Sequence, residues 1–155
     1  MLVHLHVKNL ALIEDIAVDF GPGLNILTGE TGAGKSILLG SMQLILGAKP
    51  ARGMIREHAD YALVELLFQV ENPRTEKVLR TLDVELEDSQ VLLSRKIMDG
   101  RSVNKINGET TTVGQMKAVA SCMGSMSTSR FSIRTSSWKF WMPMGKSGSC
   151  RSKKM

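Results

Sequence analysis

Gly29-Glu30-Thr31-Gly32-Ala33-Gly34-Lys35-Ser36 fits the pattern G-x-x-x-x-G-K-[ST], and the residues on both sides are those such a loop requires. Before it, Leu24-Asn25-Ile26-Leu27-Thr28 is a short apolar run that reads as a buried strand. After it, Ile37 to Leu46 is apolar on nearly every face, and Gly47 stands where a helix would end. Strand, glycine loop and helix together are the context in which this pattern holds phosphate. Gly29, Gly32 and Gly34 reach backbone angles that side chains forbid, so successive N–H groups can curl around phosphate oxygens. A helix starting near Gly34 adds its partial positive end to the same anion. Lys35 is expected to reach the β- and γ-phosphates as a point charge, and the Ser36 hydroxyl to ligate Mg²⁺. The whole stretch, Glu30, Thr31 and Ala33 included, is therefore the expected contact set for ATP·Mg²⁺, with no catalytic residue assigned. A glycine-rich turn that matches by chance is the competing reading, and the strand and helix around it weigh against that.

At 155 residues the chain has room for one domain with a real core. No run approaches the roughly 20 apolar residues of a membrane span, and Met1-Leu2-Val3-His4-Leu5-His6 alternates as a strand does. Cys122 and Cys150 have neither metal-ligand spacing nor the density of a disulfide scaffold, so a reducing cytoplasm is expected. The net charge of +5 is unevenly spread. Residues 1–122 hold 13 Lys/Arg against 15 Asp/Glu, whereas residues 123–155 hold 7 Lys/Arg and no acid. Both tryptophans, five of the ten methionines and nine serines also fall in 123–155. A basic tail ordinarily points to nucleic acid or membrane. Here the abruptness of the break points instead to a change of origin.

Taken in order, Leu2 to Val7 and Ile13 to Phe20 read as two antiparallel strands, the second with Ile16, Val18 and Phe20 on one face and Asp15 and Asp19 on the other. Gly21-Pro22-Gly23 is a turn delivering the chain into the strand before the loop. His4 and His6 share a strand face but have no third ligand in view, so a half-exposed surface is preferred to a metal site. Tyr61 to Val70 alternates as a strand, and Asn72-Pro73 opens a helix to about Leu82 with Val78, Leu79 and Leu82 on its apolar stripe. Asp83, Glu85, Glu87 and Asp88 read as a solvated turn in preference to paired catalytic carboxylates. Gln90 to Ile97 and Arg101 to Ile106 are strands joined at Asp99-Gly100, and Asn107-Gly108 makes a second tight turn. Thr110-Thr111-Thr112 offers N-caps for a helix through Val113, Met116 and Val119. The fold class is α/β: a P-loop NTPase lobe, with a mixed sheet whose antiparallel strands lie beside a strand–loop–helix unit.

These residues carry a family resemblance. The opening Leu2-Val3-His4-Leu5-His6-Val7-Lys8-Asn9-Leu10-Ala11-Leu12-Ile13, the Gly-Pro-Gly turn and the run from Leu24 to Ile37 resemble the RecN DNA-repair proteins. These are relatives of the SMC chromosome-maintenance ATPases within the ABC-type superfamily. Asp99-Gly100-Arg101-Ser102 followed by Ile106-Asn107-Gly108 is similar to a segment of the same heads. The resemblance covers roughly residues 1–120. It implies an ATP-binding head lobe (residues 1–122) whose partner lobe follows a long antiparallel coiled coil. It also implies ATP sandwiched between two heads, DNA as partner, and a role in recombinational repair of double-strand breaks. Arg52, Arg56, Arg95, Lys96 and Arg101 are candidate DNA contacts, each with a solvated surface role as the preferred alternative.

The chain departs from that family pattern where its acid-free tail begins. The 155 residues contain no L-S-G-G-E-like signature, no apolar strand ending in Asp-Glu, no heptad arm and no I-H-G-Q-H stretch after the Val113 helix. Regrouping the codons required by Trp138-Lys139-Phe140-Trp141-Met142-Pro143-Met144-Gly145 one nucleotide earlier permits L-E-I-L-D-A-Y-G, an ordinary amphipathic segment resembling RecN. Residues 123–155 are thus expected to be a frame-shifted, poorly ordered tail, against the alternative of a natural basic one. Two other functions compete: a different P-loop enzyme such as a small kinase, and a nucleic-acid binder acting through the tail. No arginine-rich lid follows the loop helix to favour the first, and the second requires binding that is lost with the tail. The encoding nucleotide sequence tests the tail: its alternative frame should run on into a family-like reading, and a frame without one rejects the shift.

Overall fold

In a computed structural model the described residues are 1–23, 25, 33–126, 132–134 and 139–141. Alternating sequence becomes sheet as expected. β1 (Leu2–Leu10), β2 (Ile13–Asp19), β3 (Tyr61–Gln69), β4 (Gln90–Met98), β5 (Arg101–Ile106) and β6 (Glu109–Thr111) form one antiparallel sheet in the order β2-β1-β3-β4-β5-β6. A separate antiparallel pair joins β7 (Ser132–Arg134) to β8 (Lys139–Trp141). The expected strand Leu24–Thr28, apart from Asn25, lies outside the described residues, as does most of the segment after Met126.

The sheet is apolar on one face. Leu5 and Val7 of β1, Val64 and Leu66 of β3, and Val91 and Leu93 of β4 are buried there, two residues apart along each strand; Leu10 is buried as well, three residues past Val7 and just beyond Asn9, whose φ is 53°. Three helices bring the complementary apolar surface. α1 (Ala33–Ile45) buries Leu38, Leu44 and Ile45; α2 (Pro73–Thr81) buries Leu79; α3 (Val113–Met126) buries Met116, Val119, Ala120 and Met123. Full burial of each such large side chain contributes about 1.5–3 kcal/mol. Asn72 caps α2, its side-chain oxygen accepting from the Arg74 N–H at 2.9 Å, with Pro73 next in the chain. Asp83, Glu85, Glu87 and Asp88 are exposed, as a solvated turn requires.

Turn chemistry sets the registers. Asn107 and Gly108 have φ of 47° and 86°, the left-handed pair of a two-residue hairpin, and they turn β5 into β6. Asn107 also ties three segments: its Oδ1 accepts from the Leu92 N–H at 2.7 Å and its Nδ2 donates to the Glu85 carbonyl at 2.6 Å. The strand β6 is not evident from sequence, and it takes up Thr110 and Thr111, two of the three threonines offered as caps. Thr111 ends β6, while Thr112 caps α3, its Oγ1 accepting from the Gln115 N–H at 3.1 Å. Gln115 reaches back to the Thr112 N–H at 3.4 Å, completing a capping box.

At the other end of α1, Gly47 has φ of 94°. The Ala48 N–H donates to the Gln43 carbonyl at 3.0 Å and the Gly47 N–H to the Leu44 carbonyl at 3.1 Å, the two bonds of a Schellman stop. A Cβ on Gly47 would lie 3.3 Å from Val113 Cγ1, where α3 begins. Replacing Gly47 with Ala should therefore lower the urea unfolding free energy by about 1–2 kcal/mol, the left-handed penalty. An unchanged midpoint would show that this stop contributes little.

Candidate functional site

The expected nucleotide contacts divide between described and undescribed residues. Gly29, Glu30, Thr31 and Gly32 lie outside the described residues; Ala33, Gly34, Lys35 and Ser36 form the first turn of α1. The helix begins one residue before the position read from sequence. Its first N–H groups have no intrahelical acceptor and carry the positive end of the helix dipole. Ser36 is exposed at that turn, so its hydroxyl is open to a ligand.

The approach to the loop is fixed by Asn25. Its Oδ1 accepts from the Gly21 N–H at 3.0 Å and its Nδ2 donates to the Gly21 carbonyl at 2.9 Å. A single amide therefore closes the Gly21-Pro22-Gly23 turn from both sides. The sequence reading placed Asn25 in the buried strand and gave it no such task. An amide two residues after a Gly-Pro-Gly turn, four from its first glycine, is the signal that could have found it.

The basic residues proposed for DNA do not share one surface. Arg95 is a correction: it is neither solvated nor placed to touch DNA, being only 4% exposed on the core face of β4. Its Nη1 donates to the carbonyls of Leu44 and, at 2.9 Å, Ala48, at the end of α1; its Nη2 reaches Ser102 Oγ at 3.4 Å. Burial lowers its pKa from the ordinary arginine value. The signal was present in the alternation, because Arg95 is in phase with Val91, Leu93 and Ile97. Arg56 is half-buried and tied to the β1–β2 hairpin, with Nη2 3.2 Å from Glu14 Oε2 and Nη1 donating to the Leu12 carbonyl at 3.3 Å. Its backbone is held too, the Arg56 N–H donating to the Asn9 carbonyl at 2.9 Å. Lys96 sits over the Tyr61 ring with Nζ 4.1 Å from its centroid, and Arg52 and Arg101 are exposed.

The opposite face of the sheet carries a charged ladder. His6 Nδ1 lies 3.0 Å from Glu65 Oε2, and its Nε2 lies 2.9 Å from Asp15 Oδ1, so one ring joins β2, β1 and β3. His4 pairs with Asp19, and Lys8 with Asp15 at 3.5 Å. The two histidines thus meet carboxylates of neighbouring strands, and each carries its own acid. The hydrogen bond to Glu65, helped by Asp15 and opposed by burial, raises the His6 pKa above its ordinary 6.5. The same contact with His6 lowers that of Asp15.

The fold and the site together define a class. A family model described as an AAA domain matches residues 4–139. The chain belongs to that family. A solved structure concerned with ATP-driven dimerization and DNA-stimulated activation of SMC ATPases superposes with a TM-score of 0.64 at 20% identity, covering 79% of this chain and 78% of that one. At that identity the likeness is one of fold: an SMC-type ATPase head lobe of mixed α/β architecture. More particularly, the curated relatives are the DNA repair proteins RecN. The chain is 37% identical to RecN of Halalkalibacterium halodurans over 122 residues and 34% identical to RecN of Bacillus subtilis over 121, in each case 77% of this chain. It spans about a fifth of those relatives' length (21%). Among the described residues, no helix is long and apolar enough to cross a membrane.

The His6 contacts give a pH prediction. A raised folded-state pKa means the protonated ring is favoured by folding. Its stabilisation is complete below pH 6.5 and is lost as pH rises through the higher folded value. The stability difference between wild type and His6→Gln, from urea titrations at a series of pH values, should therefore shrink as pH rises. A difference independent of pH would reject the ion-paired role.

Proposed function

We propose that this chain is the ATP-binding lobe of a RecN-like protein acting in recombinational repair of DNA double-strand breaks, in the cytoplasm. The observation that carries the reading is continuity: G-E-T-G-A-G-K-S runs directly into the first turn of α1, where Ser36 is open. A helix N-terminus fed by a glycine loop suits a polyphosphate, and Gly29 to Ser36 would hold it, with Lys35 on the terminal phosphates and Ser36 on Mg²⁺. The bound nucleotide supplies a phosphoanhydride whose cleavage needs positioning, Mg²⁺ and a group that orients water. The sequence of 155 residues offers the first and part of the second. Alone, then, it is expected to bind ATP·Mg²⁺ weakly at best and to show no useful turnover.

DNA and a second head, or the lobe that completes this one, are the partners this reading implies. RecN relatives are named for DNA repair, and the SMC ATPases of the matched structure for ATP-driven dimerization and DNA-stimulated activation. Residues 123–155 are proposed to take no part in nucleotide binding.

Titration of the purified chain with ATP·Mg²⁺ should show binding that disappears in Lys35→Ala and survives deletion of 123–155. No phosphate release above background is expected. Steady-state hydrolysis abolished by Lys35→Ala would contradict the incomplete-lobe reading, and binding that followed the tail would contradict the site.

A further inference from the structure

The role of Arg95 is not explained by helix capping. The end of α1 is already closed by its own backbone, the Leu44 carbonyl accepting from the Gly47 N–H and the Gln43 carbonyl from the Ala48 N–H. Arg95 then adds bonds to the Leu44 and Ala48 carbonyls from a different element, β4. An apolar residue would fill this in-phase core position without desolvating a charge. Among the described residues no carboxylate lies within ion-pair distance of the guanidinium. Its compensation is the negative end of the α1 dipole. Directly opposite Arg95 in the β4–β5 ladder is Asn104, 5% exposed. Among the described residues, Arg95 Nε, a donor, and Asn104 Oδ1, an acceptor, are both buried without a hydrogen-bond partner. A polar cluster of Arg95, Ser102 and Asn104 is thus built into a mostly apolar layer, at the end of α1 remote from the phosphate loop.

We propose that Arg95 is a positioning residue for nucleotide binding: it fixes the axial setting of α1 against the sheet and links that setting to the β4–β5 hairpin. The proposal rests on the reading of Gly29 to Ser36 as an ATP·Mg²⁺ site. The apolar packing of Leu38, Leu44 and Ile45 sets how far α1 stands from the sheet but tolerates sliding along it. Hydrogen bonds from a planar guanidinium, with Nη1 on the Leu44 and Ala48 carbonyls and Nη2 on Ser102, do not. Because α1 is a rigid rod of 13 residues, holding its last turn also holds its first, which carries Lys35 and Ser36. Ser102 adjoins the exposed Asp99-Gly100-Arg101 tip, so a displacement of that tip is passed through Arg95 to the helix.

The test compares wild type with Arg95→Lys and Ser102→Ala in the full 155-residue chain, reading affinity for a fluorescent ATP analogue with Mg²⁺ and amide hydrogen exchange. Lysine keeps the charge but has a single nitrogen, so it cannot hold the Leu44 and Ala48 carbonyls and Ser102 Oγ from two separate nitrogens as Nη1 and Nη2 do. Arg95→Lys should weaken nucleotide binding about tenfold, the scale of one charge-assisted hydrogen bond. It should also speed exchange through residues 36–45 while leaving the β1–β2 hairpin unchanged. Ser102→Ala should act in the same direction by a smaller factor, and it decides the matter if Arg95→Lys does not fold. Unchanged affinity with unchanged exchange in α1, or exchange raised equally throughout the domain, would overturn the proposal. If wild type binds no nucleotide, the function proposed above fails, and selective loosening of α1 alone decides the role of Arg95.

Discussion

Helix α1 must satisfy two surfaces at once, and the lobe is arranged around that constraint. Its flank is apolar and covers the one dry face of the sheet, through Leu38, Leu44 and Ile45 over residues of β1, β3 and β4. Its first turn, Ala33 to Ser36, is the end proposed above to meet nucleotide. Apolar burial supplies most of the adhesion but has no direction along the helix axis. Direction comes from the ends. Asn25 closes the turn before the loop, the Schellman stop at Gly47 ends the helix, and Arg95 attaches that end to β4.

Most of this was legible in the sequence, for identifiable reasons. Alternation over Tyr61 to Val70 and Gln90 to Ile97 marked both as strands because a strand presents every second side chain to one face. Asn72-Pro73 and Asp99-Gly100 marked their helix start and hairpin because their backbone preferences leave few alternatives. Other features were not legible locally. The short strand Glu109–Thr111 has no apolar alternation, and it exists because the Asn107-Gly108 turn folds it onto β5. Arg95 was misjudged because residue type argued for the surface while phase argued for the core. Phase was the better guide, since a guanidinium can be buried wherever carbonyl acceptors converge, and here they are 47 and 51 residues away in sequence.

The site itself shows the same division. The pattern from Gly29 to Ser36 could be read without any structure, because each residue type answers one requirement of a phosphate. What is proposed to position that pattern could not be read, because it lies in β4, in a turn amide and in a glycine stop. The family assignment fits this picture: 37% identity to a RecN protein over 122 residues coexists with coverage of only 21% of that relative.

The central claim is that nucleotide binds where the glycine loop meets α1. Backbone amide chemical shifts of the isotopically labelled chain, followed as ATP·Mg²⁺ is added, test it most directly. The account predicts the largest changes at Gly29 to Ser36 and smaller ones along α1, with the His4–His6 face and residues 123–155 unaffected. Changes concentrated in the basic tail or on the outer face of the sheet, with the loop unmoved, would contradict it.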